Sequence, residues 1–259
     1  MRIFAIRNEE REASGDLAYL LYYEKTKRFY IEILEKVTGE EAPLLLSSFV
    51  KRGEYSVGPQ WSRVWVQQRI KRSQNQKEYD EMKLLWKAKG RCPQDSCYMV
   101  EITREPIPGV LLERKKHRVA DVLVLKDGEC LVFFHDGSTV KLDMYQYGKD
   151  RHEFQDVLFD EEMFQMVTVQ PDGYGIEWDD TMMISYQELR ECGEKIDVSL
   201  EAFLTFAKSN LISTAEVTQM LSCSRQNVDD LVKRNKLTPV KQMPKSKLFL
   251  KTDVEQRLK

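Results

Sequence analysis

The chain has 259 residues, a formal net charge of −2, 42% hydrophobic residues and 32% charged residues. This length predicts two or three folded domains, and the composition excludes a largely disordered protein. No apolar run approaches the ~18 residues of a membrane span, and the charged N-terminus lacks a signal-peptide core, so we expect a cytoplasmic protein with no membrane contact. The five cysteines are scattered, which argues against a disulfide framework.

Residues 1–110 predict an α+β domain. The stretch "MRIFAIR" has a strand pattern, and "DLAYLLYYEKTKRFYIEIL" predicts a β-hairpin with its turn at Glu24–Lys27. Helical periodicity follows in "PLLLSSFVKRG", "PQWSRVWVQQRIKRS" and "KEYDEMKLLWKAKGR", of which the last ends at Gly90. Three tryptophans lie on these predicted helices and are expected to be buried: Trp61, Trp65 and Trp86.

Two prolines and a glycine in "REPIPGVLL" predict a domain boundary near residue 110. Residues 111–195 then predict a small β-rich domain, because "HRVADVLVL", "ECLVFF" and "STVKLDMY" are joined by Asp-Gly turns. A short helix is expected from Asp160, and "MVTVQPDGYGIEW" predicts two further strands. Ser185 is expected to cap a last helix that ends at Gly193.

This middle segment resembles a small bacterial domain family of unknown function. The positions that match the family pattern are Phe134, Asp136, Gly137, Leu142, Asp143, Phe154, Phe164, Val167, Val169, Trp178, Ile184, Ser185 and Leu189. Members are sometimes fused to helix-turn-helix modules and sometimes encoded beside toxin-like partners. No catalytic set is known for the family, so the resemblance implies a bacterial regulator and carries over no catalytic residue.

Residues 196–259 predict a small helical module with a hairpin. The stretch "SLEAFLTFAKSN" is an amphipathic helix pattern. Thr214–Leu221 and Arg225–Arg234 predict two helices, and the second places Val228, Leu231 and Val232 on one face. The lysine-rich "TPVKQMPKSKLFL" then predicts a two-stranded hairpin, and Thr252 or Asp253 is expected to cap a final helix.

This C-terminal stretch resembles the winged helix-turn-helix of the MerR and excisionase families. The segments "MLSCSRQNVDDLVKRNKL", "PVKQMPKSKLFL" and "TDVEQRL" fall in register with the two helices, the wing and the closing helix of those families. Ser222 replaces the usual turn glycine, and Thr218 replaces the usual alanine. The resemblance implies a recognition helix in the major groove of double-stranded DNA and a wing beside it.

The implied DNA-binding residues are Ser224, Arg225, Gln226, Asn227, Lys233, Arg234, Lys241, Lys245 and Lys247. Arginine reads guanine, glutamine and asparagine read adenine, and lysines neutralise phosphates. Charge supports the same partner, since residues 209–259 carry ten Lys and Arg against five Asp and Glu, whereas the remainder has a net charge of −7. Asp229 and Asp230 argue against it, because carboxylates near phosphates are repulsive.

The sequence offers little support for catalysis or for a cofactor. The three histidines lie in polar turns, and "CPQDSC" has no second ligand pair nearby for zinc. The acidic pairs are explained by a strand-end turn and a helix N-terminus, and no phosphate-binding loop is present. We therefore expect neither an enzyme nor a metal site, although residues brought together only by the fold escape this reasoning.

The predicted function is bacterial transcriptional regulation through a C-terminal winged helix-turn-helix. A module this small makes few base contacts, so we expect a homodimer on a palindromic operator, with the acidic body sensing a ligand or a protein partner. The alternative is an antitoxin-like or other protein-interaction protein without sequence-specific DNA binding.

Overall fold

The computed structural model describes residues 1–10, 15–70, 80–244 and 246–257. The chain is α+β, with helices and several antiparallel sheets. It divides into two compact units, one of residues 1–136 and 142–193 and one of residues 137–141 and 194–259. The boundary predicted near residue 110 therefore falls inside the first unit, whereas the one predicted at 195/196 lies two residues from a unit boundary. Within the described ranges, no helix has the length and apolar character to cross a bilayer.

The first unit begins with a five-stranded antiparallel sheet in the order β4-β3-β2-β1-β5. The predicted hairpin is confirmed, because Ala18 pairs with Ile33 and Tyr23 pairs with Arg28. The elements are β1 (Arg2–Asn8), β2 (Ala18–Tyr23), β3 (Arg28–Ile33), α1 (Ser47–Lys51), β4 (Ser56–Val57), α2 (Pro59–Arg69), α3 (Glu81–Lys87) and β5 (Cys97–Glu101).

α2 starts at Pro59, as predicted. α1 and α3 begin at Ser47 and Glu81, four residues after the first residue of each predicted helical stretch. The side chain of Asp80 accepts a hydrogen bond from the backbone of Lys83 and sets the start of α3. The first residues expected in that helix, 77–79, lie outside the described residues.

Only one of the three helical tryptophans is buried. Trp65 of α2 is fully enclosed, but Trp61 is 54% exposed and Trp86 is 44% exposed, so their predicted burial was wrong. Trp61 meets Phe49 with one ring edge, and Trp86 lies over Phe4 at 5.8 Å between ring centroids. Each ring is thus in contact with one aromatic side chain and still has about half of its residue surface open to solvent.

The rest of the first unit contains short helices and two small sheets. A helix at 109–116 was not predicted, because Pro108 and Gly109 suggested a linker but instead start the helix. A second correction concerns Met144, which begins a helix capped by Asp143 and does not extend the preceding strand. The elements are α4 (Gly109–Lys116), β6 (Val119–Val124), β7 (Glu129–Phe134), β8 (Thr139–Asp143, of which residues 139–141 belong to the second unit), α5 (Met144–Gly148), α6 (Gln155–Phe159), α7 (Glu161–Phe164), β9 (Thr168–Val169), β10 (Gly175–Glu177), β11 (Met183–Ser185) and α8 (Tyr186–Cys192).

A buried carboxylate holds the two parts of the first unit together. Glu32 of β3 is fully buried, and its Oε1 accepts hydrogen bonds from Arg118 at 2.8 Å and from the Tyr174 hydroxyl at 2.6 Å. Its Oε2 accepts from Arg114 and from the Ser56 hydroxyl, each at 2.7 Å. A buried charge needs this many partners, so residues from both sides of position 110 complete a single site.

Two of the partners of Glu32, Arg118 and Tyr174, are themselves buried and hydrogen-bonded to each other at 2.9 Å. Arg118 also pairs with Asp172, and its guanidinium lies 3.8 Å from the centroid of the Tyr174 ring. Tyr174 stacks on Tyr30 at 3.9 Å. Burial raises the pKa of the Tyr174 hydroxyl well above its usual value, so it donates to Glu32 as a neutral group.

The second unit has its own small core. Residues 139–141 of β8 pair with β12, and a separate sheet has the order β13-β15-β14. Six buried side chains form the core: Ile212, Val217, Val228, Leu237, Phe249 and Val254. The elements are β12 (Glu194–Ile196), α9 (Leu200–Asn210), β13 (Leu211–Ser213), α10 (Thr214–Met220), α11 (Arg225–Lys233), β14 (Lys241–Met243), β15 (Ser246–Leu250) and α12 (Lys251–Glu255).

Candidate nucleic-acid interface

The first helix of the predicted module, α10, begins at a capping box. Ser213 accepts a hydrogen bond from the backbone N–H of Glu216, and the Glu216 carboxylate accepts from the Ser213 backbone at 2.7 Å. These reciprocal bonds satisfy backbone groups that a helix start leaves open. Val217 of α10 is fully buried, which fixes the side of the helix that faces the core.

A tight turn joins α10 to α11. Ser222 adopts φ +49°, in the left-handed region that favours glycine. The Cys223 backbone N–H donates to the Thr218 carbonyl at 3.0 Å, which ends α10. Ser222 is therefore the strained residue of this turn, at the position where the sequence resemblance predicts glycine.

The second helix, α11, has a buried side and an exposed side. Ser224 caps it by accepting from the Asn227 backbone N–H at 3.3 Å. Val228 is fully buried, and Leu231 and Val232 pack against the same core, as predicted. The predicted DNA-contacting residues at the start and end of this helix are all exposed: Ser224, Arg225, Gln226, Asn227, Lys233 and Arg234.

The hairpin of β14 and β15 is anchored to the start of α10. Thr214 donates its hydroxyl proton to the Lys247 carbonyl and accepts from the Lys247 backbone N–H, each at 3.3 Å. Lys241 of β14 is exposed and pairs across the hairpin with Leu248. Lys245, at the hairpin turn, lies outside the described residues.

Lys247 is engaged by the helix beside it. Its ammonium group forms an ion pair with the Asp229 carboxylate of α11, with Nζ and Oδ1 2.5 Å apart. The hydrogen bond from Lys247 and the positive charge of its ammonium group both lower the pKa of the Asp229 carboxyl below its usual value. Asp229 was expected to repel phosphates, and the structure pairs its charge with a lysine on the hairpin. Asp230 is exposed and pairs with no residue in the described ranges.

The closing helix starts earlier than predicted. α12 begins at Lys251, and Leu250 occupies its cap position without a side-chain hydrogen bond, so the expected cap at Thr252 or Asp253 was wrong. Val254 is fully buried in the module core. Arg257 donates to the Lys236 carbonyl, which ties the chain after α12 to the segment after α11.

The histidines, cysteines and acidic residues were also considered as metal ligands or catalytic groups. Among the described residues, no three or more His, Cys, Asp or Glu side chains come together in a way that could hold a metal ion. His117 lies 3.4 Å from Asp136, and all five cysteines are free thiols. The first unit contains an open cleft of about 850 Å³, with Tyr55, Trp61 and Arg114 among its lining residues.

Comparison of this chain with protein-family models, with curated proteins and with solved structures found no match.

Proposed function

We propose that residues 211–257 form a winged helix-turn-helix that binds double-stranded DNA, and that the protein is a bacterial transcriptional regulator. One observation carries the proposal. α11 buries Val228 against the core and exposes the polar and basic residues that such a helix presents to DNA. Lys247 ties the hairpin of β14 and β15 to both helices, because its backbone bonds to Thr214 of α10 and its side chain pairs with Asp229 of α11.

The start of α11 is the part proposed to read bases. Arg225 has the reach and donor geometry for guanine, and Gln226 or Asn227 can form the corresponding pair of bonds with adenine. Their side chains are exposed on consecutive positions after the Ser224 cap. The helix is nine residues long, about 13 Å, which is a suitable length for entering a major groove.

Phosphate contact is proposed for the end of α11 and for the hairpin. The side chains of Lys233, Arg234 and Lys241 are exposed, and none of them forms a salt bridge with another residue that the structure describes. Each cation that neutralises a phosphate releases counterions, so binding should weaken as salt rises. Lys247 can join this set only when Asp229 releases it, because the two groups are paired in the free protein.

The remainder of the chain is proposed as the sensing part of a cytoplasmic regulator. The net charge of −7 on residues 1–208 opposes direct contact with DNA and suits a protein partner or a ligand. We propose three modules for the chain: an N-terminal α+β domain at 1–110, a small β-rich domain at 111–195 and a DNA-binding domain at 196–259 that contains the winged helix-turn-helix of residues 211–257.

A second candidate function is protein interaction without sequence-specific DNA binding, as in an antitoxin-like protein. The pair between Asp229 and Lys247 favours it, because it occupies one predicted phosphate-binding lysine. Asp230 adds an exposed negative charge to the same helix.

Selection from a pool of random DNA duplexes with the full chain separates the two functions. The regulator predicts an enriched sequence motif, and Arg225→Ala should lose preference at one guanine position of that motif. The absence of any enriched motif, together with a stoichiometric protein partner that copurifies with the chain, would instead support the interaction protein.

A further inference from the structure

The open cleft of the first unit, about 850 Å³ in volume, has the size of a small-molecule site. Its lining includes the aromatic rings of Tyr55 and Trp61, and Trp61 has 54% of its surface exposed. The lining also includes two buried polar residues, Gln170 directly after β9 and Tyr186 at the start of α8. The cleft therefore offers both aromatic surface and polar atoms to a ligand.

Gln170 is a buried polar side chain without a partner. The residue is 4% exposed, and its side-chain amide forms no hydrogen bond with any residue that the structure describes. Its backbone is engaged, since its N–H donates to the Gly175 carbonyl and its carbonyl accepts from the Gly173 N–H, each at 2.9 Å. Buried polar side chains nearly always have a partner, because an unpaired amide is costly there. The Gln170 amide is therefore available to a molecule in the cleft.

The Tyr186 hydroxyl supplies a second available acceptor. Ser56 donates its only hydroxyl proton to Glu32 at 2.7 Å, so Tyr186 is the donor in the 3.1 Å contact between the Ser56 and Tyr186 hydroxyls. Burial raises the pKa of Tyr186, which keeps this proton in place. The Tyr186 oxygen accepts no hydrogen bond from the residues that the structure describes, so its lone pairs are open to a donor in the cleft.

Gln170 and Tyr186 lie on either side of the same strand end. The Gln170 N–H donates to the Gly175 carbonyl, and the Tyr186 N–H donates to the Tyr174 carbonyl. The sheet order β11-β10-β9 places the start of β10 between them, so their backbones are two strand spacings apart, about 10 Å. A single small molecule can therefore reach both side chains.

The charges that line the cleft favour a positive ligand. Four carboxylates and two guanidinium groups give the lining a net charge of −2: Glu35, Glu54, Glu188, Glu191, Arg52 and Arg114. Both arginines are already held by carboxylates, Arg52 by Glu54 and Arg114 by Glu32. Glu191 is exposed and forms no ion pair with another described residue. The cleft therefore attracts cations and repels anions.

We propose that this cleft binds a small organic cation with a flat apolar body, such as an arylamidine or an arylalkylamine. The N–H groups of the cation donate to Gln170 Oε1 and to the Tyr186 oxygen, which receive no donor from the described residues. Aromatic rings in the lining add packing and cation–π attraction. The role of this ligand as the signal sensed by the regulator rests on the proposed function, whereas the binding itself does not.

Three probes with the same planar shape test the charge of the ligand: benzamidine is a cation, benzamide is neutral and benzoate is an anion. Ligand-observed NMR titration of the full chain measures each dissociation constant. We expect a Kd on the order of 1 mM for benzamidine, with the other two probes bound about tenfold more weakly or less. Equal binding of the three probes, or no binding of benzamidine up to about 10 mM, would overturn the proposal.

Gln170→Met tests the position of the site. Methionine has a similar size and no amide, so benzamidine should bind about tenfold more weakly. The thermal stability should not fall, because no hydrogen bond within the protein is lost. Gln68→Met is the matched control, since Gln68 is exposed on α2 and lies outside the lining of this cleft. Equal affinity of the wild type and Gln170→Met would overturn the site.

The proposed DNA binding fails separately. A chain that binds benzamidine in this way but has no affinity for DNA would contradict the regulator and leave the cation site intact. A chain that binds DNA specifically but does not bind benzamidine would contradict the cation site and leave the regulator intact.

Discussion

Asp229 on α11 and Lys247 on β15 form an ion pair that joins the proposed recognition helix to the proposed wing, with Nζ and Oδ1 2.5 Å apart. Because of this pair, the two aspartates of α11 are expected to affect DNA binding in different ways. One of them neutralises a wing lysine in the free protein, and the other, Asp230, is exposed to solvent. In the free protein, the positive surface of the module is therefore smaller than its sequence implies.

Asp229→Asn should strengthen binding to any DNA duplex. The change removes a negative charge from α11 and frees Lys247 for phosphate, so the salt dependence should steepen by about one phosphate contact. Fluorescence anisotropy with a random-sequence duplex at several salt concentrations measures both effects. Asp253→Asn, which removes an exposed carboxylate from α12, is the matched control and should leave the salt slope unchanged.

Asp230→Ala should also tighten non-specific DNA binding, but without the extra phosphate contact. Asp230 has no cation to release among the described residues, so only repulsion is lost. The same assay should show higher affinity with a salt slope close to that of the wild type. Weaker binding in this variant would mean that this part of α11 does not face phosphates.

Features of the C-terminal module that depend on residues close together in the sequence could be predicted, and features that depend on distant residues could not. The two helices were predicted from apolar spacing, and the caps that the structure shows at Ser213 and Ser224 are equally local, because each acts within three residues. The pair between Asp229 and Lys247 crosses 18 residues and joins a helix to a hairpin, so no local pattern announces it. The same argument explains α4, since a Pro-Gly pair marks both a linker and a helix start.

Glu32 was missed for the same reason. In an alternating strand, a charge between Ile31 and Ile33 predicts a solvent-facing position, yet both faces of β3 are covered. Two of its partners, Arg118 and Tyr174, lie 86 and 142 residues further along the chain. The one sequence feature that indicated a buried charge was a glutamate in an apolar strand, and it did not indicate which residues would pair with it.

Glu32→Gln should destabilise the first unit by about 3–5 kcal/mol, because it leaves the Arg114 and Arg118 charges buried without their common partner. Urea unfolding monitored by tryptophan fluorescence measures the loss. Glu35→Gln is the matched control, since the Glu35 side chain is 73% exposed and contacts Arg114 only at 3.6 Å. Equal effects of the two changes would contradict the role given to Glu32.

Ser222→Gly should stabilise the second unit by about 0.5 kcal/mol. Glycine relieves the left-handed backbone at φ +49°, and this gain exceeds the entropy that glycine adds to the unfolded chain. Thermal unfolding followed by circular dichroism provides the measurement. Ser222→Ala keeps the backbone strain and should show no such gain, so stabilisation by both changes would point to a different cause.

The buried thiols should resist alkylation. Burial raises the pKa of the Cys97 and Cys130 thiols to about 12, so both remain neutral and covered at pH 8. Cys192 is exposed and should react first with iodoacetamide, as read by peptide mass spectrometry. In the unfolded chain a cysteine thiol has a pKa of about 8.5. Between that pH and about 12 only the unfolded chain loses these two protons, so the free energy of unfolding should fall as the pH rises through this range.

The most direct test of DNA binding is the salt-dependent affinity of the full chain for a DNA duplex, compared between two triple variants. Arg225→Ala, Lys233→Ala and Lys241→Ala together remove three exposed cations from α11 and the hairpin. Lys87→Ala, Lys126→Ala and Lys149→Ala together remove the same charge from exposed positions of the first unit.

We predict that the first variant loses most of its affinity and that its salt slope falls by about two phosphate contacts, those of Lys233 and Lys241, while the second variant binds like the wild type. Equal binding by both triple variants, or a wild-type affinity that does not change with salt, would contradict the account.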